Sequence, residues 1–218
     1  MYFSSRMQAG RMLASLIKDK LRYENCVVLS LDDGGVVVGA QIAATLHCLI
    51  SLLLSGDITL PREARAIAGI ISDGKLAYNH NYSQGEIDEF VGEYRSYIEE
   101  ERLERFHELN RLLGSRGLVD ARKLKHMNVI LVSEGLKDPM KLDLAEEYLK
   151  PIEIEKLYVA LPIASVDVID RVHIMADGVF CLNVIDDPME ISHYYDKNDL
   201  PSHEKIVDTL ENIVLHWK

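Results

Sequence analysis

"VILVSEGLKDP", residues 129–139, decides how this chain folds. Its first four residues are apolar without alternation, the pattern of a strand covered on both faces by helices. Ser133, Glu134 and Gly135 break the run, and Asp138 and Pro139 then stand where a helix begins, the acid at the cap and the proline at the first helical position. A buried strand that passes through a polar turn into a helix is the building unit of an α/β sheet, and ligands of such sheets sit at these turns.

The same alternation extends downstream. "NVILV" (128–132), a helix from about Met140 to Leu149, "KLYVALP" (156–162), a helix from about Val166 to Ile174 and "VFCLNV" (179–184) read as three strands joined by two crossovers. Upstream, "CVVLSL" (26–31), "CLISLLL" (48–54) and "AIAGIIS" (66–72) read as further core strands, with a helix from Val36 to His47 between the first two. Residues 3–21 carry Phe3, Met7, Leu13, Leu16, Ile17 and Leu21 at helical spacing, and Ser202–Trp217 carries Ile206, Leu210, Ile213, Val214 and Trp217 likewise. Between Gly85 and Leu113 a helical stripe with an acidic outer face predicts one long helix; that face is read as solvated, with a homodimer contact as the alternative. A basic, glycine-containing connection follows at 114–126. The expectation is one α/β domain over residues 1–218, a three-layer open parallel sheet, with a long helical insertion at about 84–113 between the third and fourth core strands.

Composition excludes several classes. With 48% hydrophobic and 27% charged residues the chain is a globular one, and its net charge of −11 opposes a phosphate backbone, so nucleic acid is not expected as a partner. The start, "MYFSSRMQAG", shows no secretion signal, and the longest apolar run is too short to span a bilayer, so no membrane partner is expected. Cys26, Cys48 and Cys181 form no metal or redox pair and fit a reducing cytoplasm. The eight histidines show no HExxH or paired spacing, and no GxSxG elbow occurs.

Two turns remain as candidate chemistry: Asp32-Asp33-Gly34-Gly35 after the first strand and Ser133–Pro139 after "NVILV". With "AGRMLA", "VVLSLDDGGVVVGAQIA", "NVILVSEGL", "VALPIASVDVIDRV", "FCLNV" and "HYYDKNDL" in this order, the chain resembles the type I phosphoribosyltransferases over nearly its whole length. More closely, it is similar to a small bacterial branch with a short amphipathic first helix and a tyrosine-containing tail. That resemblance implies a phosphoribosyltransferase fold and a site for phosphoribosyl pyrophosphate (PRPP). In the family two acids follow the strand that ends here at Val132, then a Thr/Gly turn whose amides hold the 5′-phosphate. Only Glu134 and Gly135 keep this pattern; Ser133 replaces the first acid, and Asp138 and Pro139 replace Thr and Gly. A proline has no N–H to offer, and a carboxylate repels the phosphate.

The pyrophosphate turn has changed in the same direction. The family's basic residue corresponds to Asp33, beside Asp32, while Gly34 and Gly35 remain. Two unit charges about 4 Å apart interact by roughly 4 kcal/mol at an effective dielectric near 20, so the reversal costs several powers of ten in affinity. A further basic pair is replaced by "SGD" at 55–57.

The residues therefore favour a phosphoribosyltransferase-like protein with a degraded PRPP site, kept for small-ligand binding or a regulatory or interaction role, with a small phosphorylated molecule as the kind of ligand. Glu134 is the one candidate catalytic acid; Gly34, Gly35, Gly135, Lys137 and Lys141 are the candidate substrate contacts. One alternative is an active transferase that moves ribose 5-phosphate to a nucleobase-type acceptor, with Lys137, Lys141 and Mg²⁺ in place of the lost groups. The other is a hydrolase holding Mg²⁺ on Asp32, Asp33 and Glu134. No cofactor is expected unless the chain is active, and then Mg²⁺. The tyrosines of "HYYDKND" (193–199) read as packing anchors, with base stacking as the alternative.

Overall fold

In the computed structural model, residues 2–63, 65–113, 119–198 and 200–215 are described, residues 113 and 211–215 as backbone only. Two compact units emerge: Met1–Leu52 with Val119–Asp138 and Ile152–Lys218, and Leu53–Leu118 with Pro139–Pro151.

The first unit is built on five strands, β1 Cys26–Ser30, β2 Leu49–Leu52, β6 Asn128–Val132, β7 Lys156–Ser165 and β8 Gly178–Ile185. They form one sheet, entirely parallel, in the order β2-β1-β6-β7-β8. Every residue of β1 and β6 is buried, as their unalternating apolar runs require, and the chain is α/β as expected. Helices α1 (Arg6–Leu21), α2 (Asp33–Leu46), α6 (Val166–Met175) and α7 (His203–Leu215) flank this sheet. The side chains of Ile213, Val214 and Trp217, expected on the apolar face of the last helix, lie outside the described residues. Because β1 leads to β2 on one side and pairs with β6 on the other, the strand order reverses between β1 and β6, and the crevice beyond their carboxyl ends is the switch point.

Close packing of α2 on the sheet depends on Gly39. A Cβ there would come 2.9 Å from Val28 Cγ1, 3.0 Å from Ser30 Oγ and 3.2 Å from Ile50 Cδ1. Gly39→Val therefore forces α2 off the sheet and lowers stability by about 1–3 kcal/mol, read as a fall in the urea midpoint of unfolding; an unchanged midpoint would refute the packing described.

In the second unit "AIAGIIS" is not a core strand of the parallel sheet. It forms β4 (Ala68–Ile71), the middle of a separate antiparallel sheet with β3 (Ser55–Ile58) and β5 (Leu76–Tyr78). The run is apolar on both faces because α4 (Arg95–Leu113) and α5 (Met140–Leu149) pack on this small sheet as helices pack on the large one. Gly69 lets α5 close on β4, since a Cβ there would meet Leu144 Cδ1 at 2.6 Å. "SGD" lies within β3, so it is strand and not a binding loop.

The single long helix is also corrected. It is two, α3 (Gln84–Glu93) and α4, broken at Tyr94, whose φ of −109° and ψ of 22° leave the helical region. A capping box starts α3, with Ser83 and Glu86 satisfying each other's backbone amides. Of the connection at 114–126, residues 114–118 lie outside the described residues, and Ala121–Lys123 forms a single 3-10 turn.

Candidate functional site

The turn after β1 enters α2 directly. Asp32 is the N-cap: its Oδ1 accepts from the Gly35 amide at 2.6 Å, which positions Gly34 and Gly35 in the helix's first turn. The turn after β6 is fixed to the same carboxylate. Ser133, fully buried, donates its hydroxyl to Asp32 Oδ2 at 2.6 Å, and the Glu134 amide donates to Asp32 Oδ1 at 3.4 Å. A serine is the correct residue opposite a half-buried acid, because it supplies a proton where a second carboxylate would repel.

The other amides of the turn are engaged too. Gly135 N donates to Ser133 Oγ at 3.2 Å, and Leu136 N donates to the Ile163 carbonyl at 3.1 Å, while the Leu136 carbonyl accepts from Ser165 N at 3.0 Å. Leu136 thus forms a parallel bridge with Ala164 that prolongs β6 along β7. A cup for an anion needs convergent amides with no internal acceptor; here Glu134, Gly135 and Leu136 have all found one.

The sequence assigns Asp138 to the cap of the next helix and Pro139 to its first residue; the helix starts one residue later. Helix α5 begins at Met140, and Pro139 stands just before it with φ −80° and ψ −1°; the Pro139 carbonyl accepts from Leu142 N at 2.9 Å and Asp143 N at 3.0 Å.

Glu134 is paired, and with a residue from outside both turns. Arg6, in the first turn of α1 and 3% exposed, donates from Nε to Glu134 Oε2. Its guanidinium lies 4.8 Å from the centre of the Tyr195 ring, and the Tyr195 hydroxyl donates to the Glu134 carbonyl at 2.5 Å. A backbone clip brings these groups together: Phe3 N donates to the Tyr194 carbonyl and Asp196 N to the Phe3 carbonyl, each at 2.9 Å. Tyr194 and Tyr195 are buried with Phe3, and they anchor the tail as packing residues. Burial, together with the charge of Glu134, pushes the Tyr195 phenol far above its ordinary range, so it stays a donor.

Of the remaining candidates, Asp33 faces His203 of α7, whose Nδ1 lies 2.9 and 3.0 Å from its two oxygens. Lys137 donates to Glu190 at 2.8 Å, and that contact pushes its ammonium pKa up. Lys141 belongs to the second unit, on α5. Gly135 sits under Ile191, whose Cγ2 a Cβ would meet at 2.8 Å. Burial pushes the thiols of Cys26 and Cys48 up to about 11 and about 12, so neither is a nucleophile at neutral pH.

No family model matches the chain. Two Mycobacterium tuberculosis proteins, of strains CDC 1551 / Oshkosh and ATCC 25618 / H37Rv, each named "Putative phosphoribosyl transferase", are 26% identical to it over 186 residues, 83% of this chain and 40% of theirs. The chain therefore spans about two fifths of the length of the curated relatives it matches. A crystal structure of TT1426 from Thermus thermophilus superposes with a TM-score of 0.72 at 25% identity, covering 100% of this chain and 99% of that one. That of a Staphylococcus aureus hypoxanthine phosphoribosyltransferase does so at 0.50 and 10% identity, covering 86% and 78%. This chain is similar to proteins named phosphoribosyl transferases, and it shares the fold of a hypoxanthine phosphoribosyltransferase.

Mg²⁺ is the metal the resemblance implies, and the carboxylates of this chain do not fit it as they stand. Glu134 is neutralised by a buried arginine, Asp32 caps α2 and accepts from Ser133, and Asp33 is turned to His203. Among the described residues no group of three or more His, Cys, Asp or Glu is placed to hold a metal ion. Nor is any described helix long and apolar enough to cross a membrane. The residue that sequence reasoning missed is Arg6. Its signal was present: Arg6, Ala9, Gly10, Leu13 and Ile17 share one buried face, and a charge on an apolar stripe needs a buried partner.

Proposed function

We propose that this phosphoribosyltransferase-like chain does not transfer ribose phosphate from PRPP, and that its core is kept to bind a small ligand or to serve a regulatory or interaction role. What supports the reading is the internal engagement of the turn after β6: three consecutive amides have acceptors within the first unit, and the one retained acid is held by Arg6. A donor already satisfied gains little from an incoming anion, because each new hydrogen bond replaces an old one. The reversed charge at Asp33 acts in the same direction.

Calorimetric titration of the wild-type chain with PRPP and Mg²⁺ tests this. The expected result is no heat of binding up to millimolar PRPP and no transfer to any purine or pyrimidine base. Micromolar binding would overturn it in favour of an active Mg²⁺-dependent transferase.

A further inference from the structure

We propose that the Glu134 carboxylate is an internal plug: it fills an oxyanion seat formed by the N-terminus of α2 and the buried guanidinium of Arg6. The inference rests on the closed-site reading above and names what does the closing. Arg6 comes from the first helix, outside both turns, and gives the seat its charge.

Three observations carry it. A Cβ built on Gly34 would overlap the Glu134 carboxyl group and lie 2.7 Å from its Cγ, so the acid lies directly against the first turn of α2. That end of a helix of 14 residues carries positive partial charge and suits an anion. The Arg6 side chain is 4% exposed, its Nε is bound to the same carboxylate, and its Nη1 has no hydrogen-bond partner among the described residues. A guanidinium presents a planar fork that matches two oxygens. Glu134 meets it through Nε alone, which leaves Nη1 for a second oxygen of an incoming oxyanion. The Tyr195 ring and its bond to the Glu134 carbonyl hold both partners in register. Nothing in the geometry distinguishes a phosphate from a carboxylate ligand, so a small oxyanion is the class assigned.

Glu134→Ala vacates the seat and leaves Arg6 buried without a counter-charge. The test compares wild type, Glu134→Ala and the double variant Arg6→Met/Glu134→Ala by calorimetric titration and thermal unfolding. Inorganic phosphate and, separately, acetate are the probes, at constant ionic strength in chloride. Expected is saturable binding to Glu134→Ala at least tenfold tighter than to wild type, a rise in its Tm with the same anion, and loss of both in the double variant. Tighter phosphate than acetate marks a phosphate-class seat; the reverse marks a carboxylate seat. A folded Glu134→Ala that binds neither anion better than wild type overturns the proposal, as does full binding by the double variant. Should Glu134→Ala not fold, Glu134→Ser, which is uncharged and too short to reach the seat, carries the test with the same two outcomes. A wild type that binds PRPP overturns the parent reading, whereas a PRPP-silent wild type with an anion-silent variant overturns the plug alone.

Discussion

Arg6→Met is expected to lower the free energy of unfolding by about 3–5 kcal/mol, the range for removing one partner of a buried ion pair. The number follows from what stays behind. Glu134, with a side chain 19% exposed, loses the Arg6 charge while its carboxylate stays against Gly34, and methionine supplies the volume of the arginine stem but no donor. Exposure separates this pair from the ion pairs on the surface. Arg122 is 91% exposed in its contact with Asp120, and Lys137 and Glu190 are 42% and 82% exposed in theirs. Pairs of that kind contribute about 0–1 kcal/mol. Lys137→Met is therefore the control, with little change expected in the same urea titration. If Arg6→Met and Lys137→Met prove equally mild, the Arg6–Glu134 contact is not the buried pair described.

The parallel sheet is legible because its central strands must be apolar on both faces, and that leaves an unalternating apolar run. β6 and α5 fall where the sequence places them, and β7 and β8 nearly so. The same rule misleads at β4, where residues 66–72 satisfy it for a different reason: a small antiparallel sheet with a helix close on Gly69 also buries both faces. Strand identity is local, but which sheet a strand joins is decided by partners far away in sequence. The break at Tyr94 is hidden because the apolar stripe continues through it, with Tyr94 N still bonded to Phe90 O and Ile98 N to Tyr94 O. A stripe records which face is covered, and a change of axis need not interrupt it.

At the candidate site the sequence names the turns and the altered residues, but not their partners. Asp32 reads as a charge facing ligand; its oxygens cap α2 and receive Ser133. Asp33 reads likewise, and its partner His203 lies 170 positions away. No spacing rule reaches that far. Only Arg6 leaves a local trace, as the charged member of an apolar stripe.

Ser133 gives the second large effect. In the family an acid stands at this position, so Ser133→Asp looks like a repair; here it is expected to destabilise the fold by about 3–5 kcal/mol at pH 8, because a second, fully buried charge is placed beside the Asp32 carboxylate without a cation. The pH dependence has a definite sign. Burial and the neighbouring carboxylate make the introduced acid bind its proton more tightly folded than unfolded. Its folded pKa is thus raised, and a group of this kind contributes stability that is present at low pH and lost as pH rises through the raised value. The penalty should shrink as pH falls from 8 towards 5, measured as the difference in urea midpoint from wild type at each pH; a constant difference would mean that like-charge repulsion is not its cause. Adding Asp32→Asn should recover most of the loss at pH 8, since an amide can donate to the new carboxylate while its oxygen still accepts from Gly35 N. The two substitutions are then strongly non-additive. Asp32 and Ser133 form one hydrogen-bonded unit across the two turns, so restoring the family's acid requires that the pyrophosphate turn change with it.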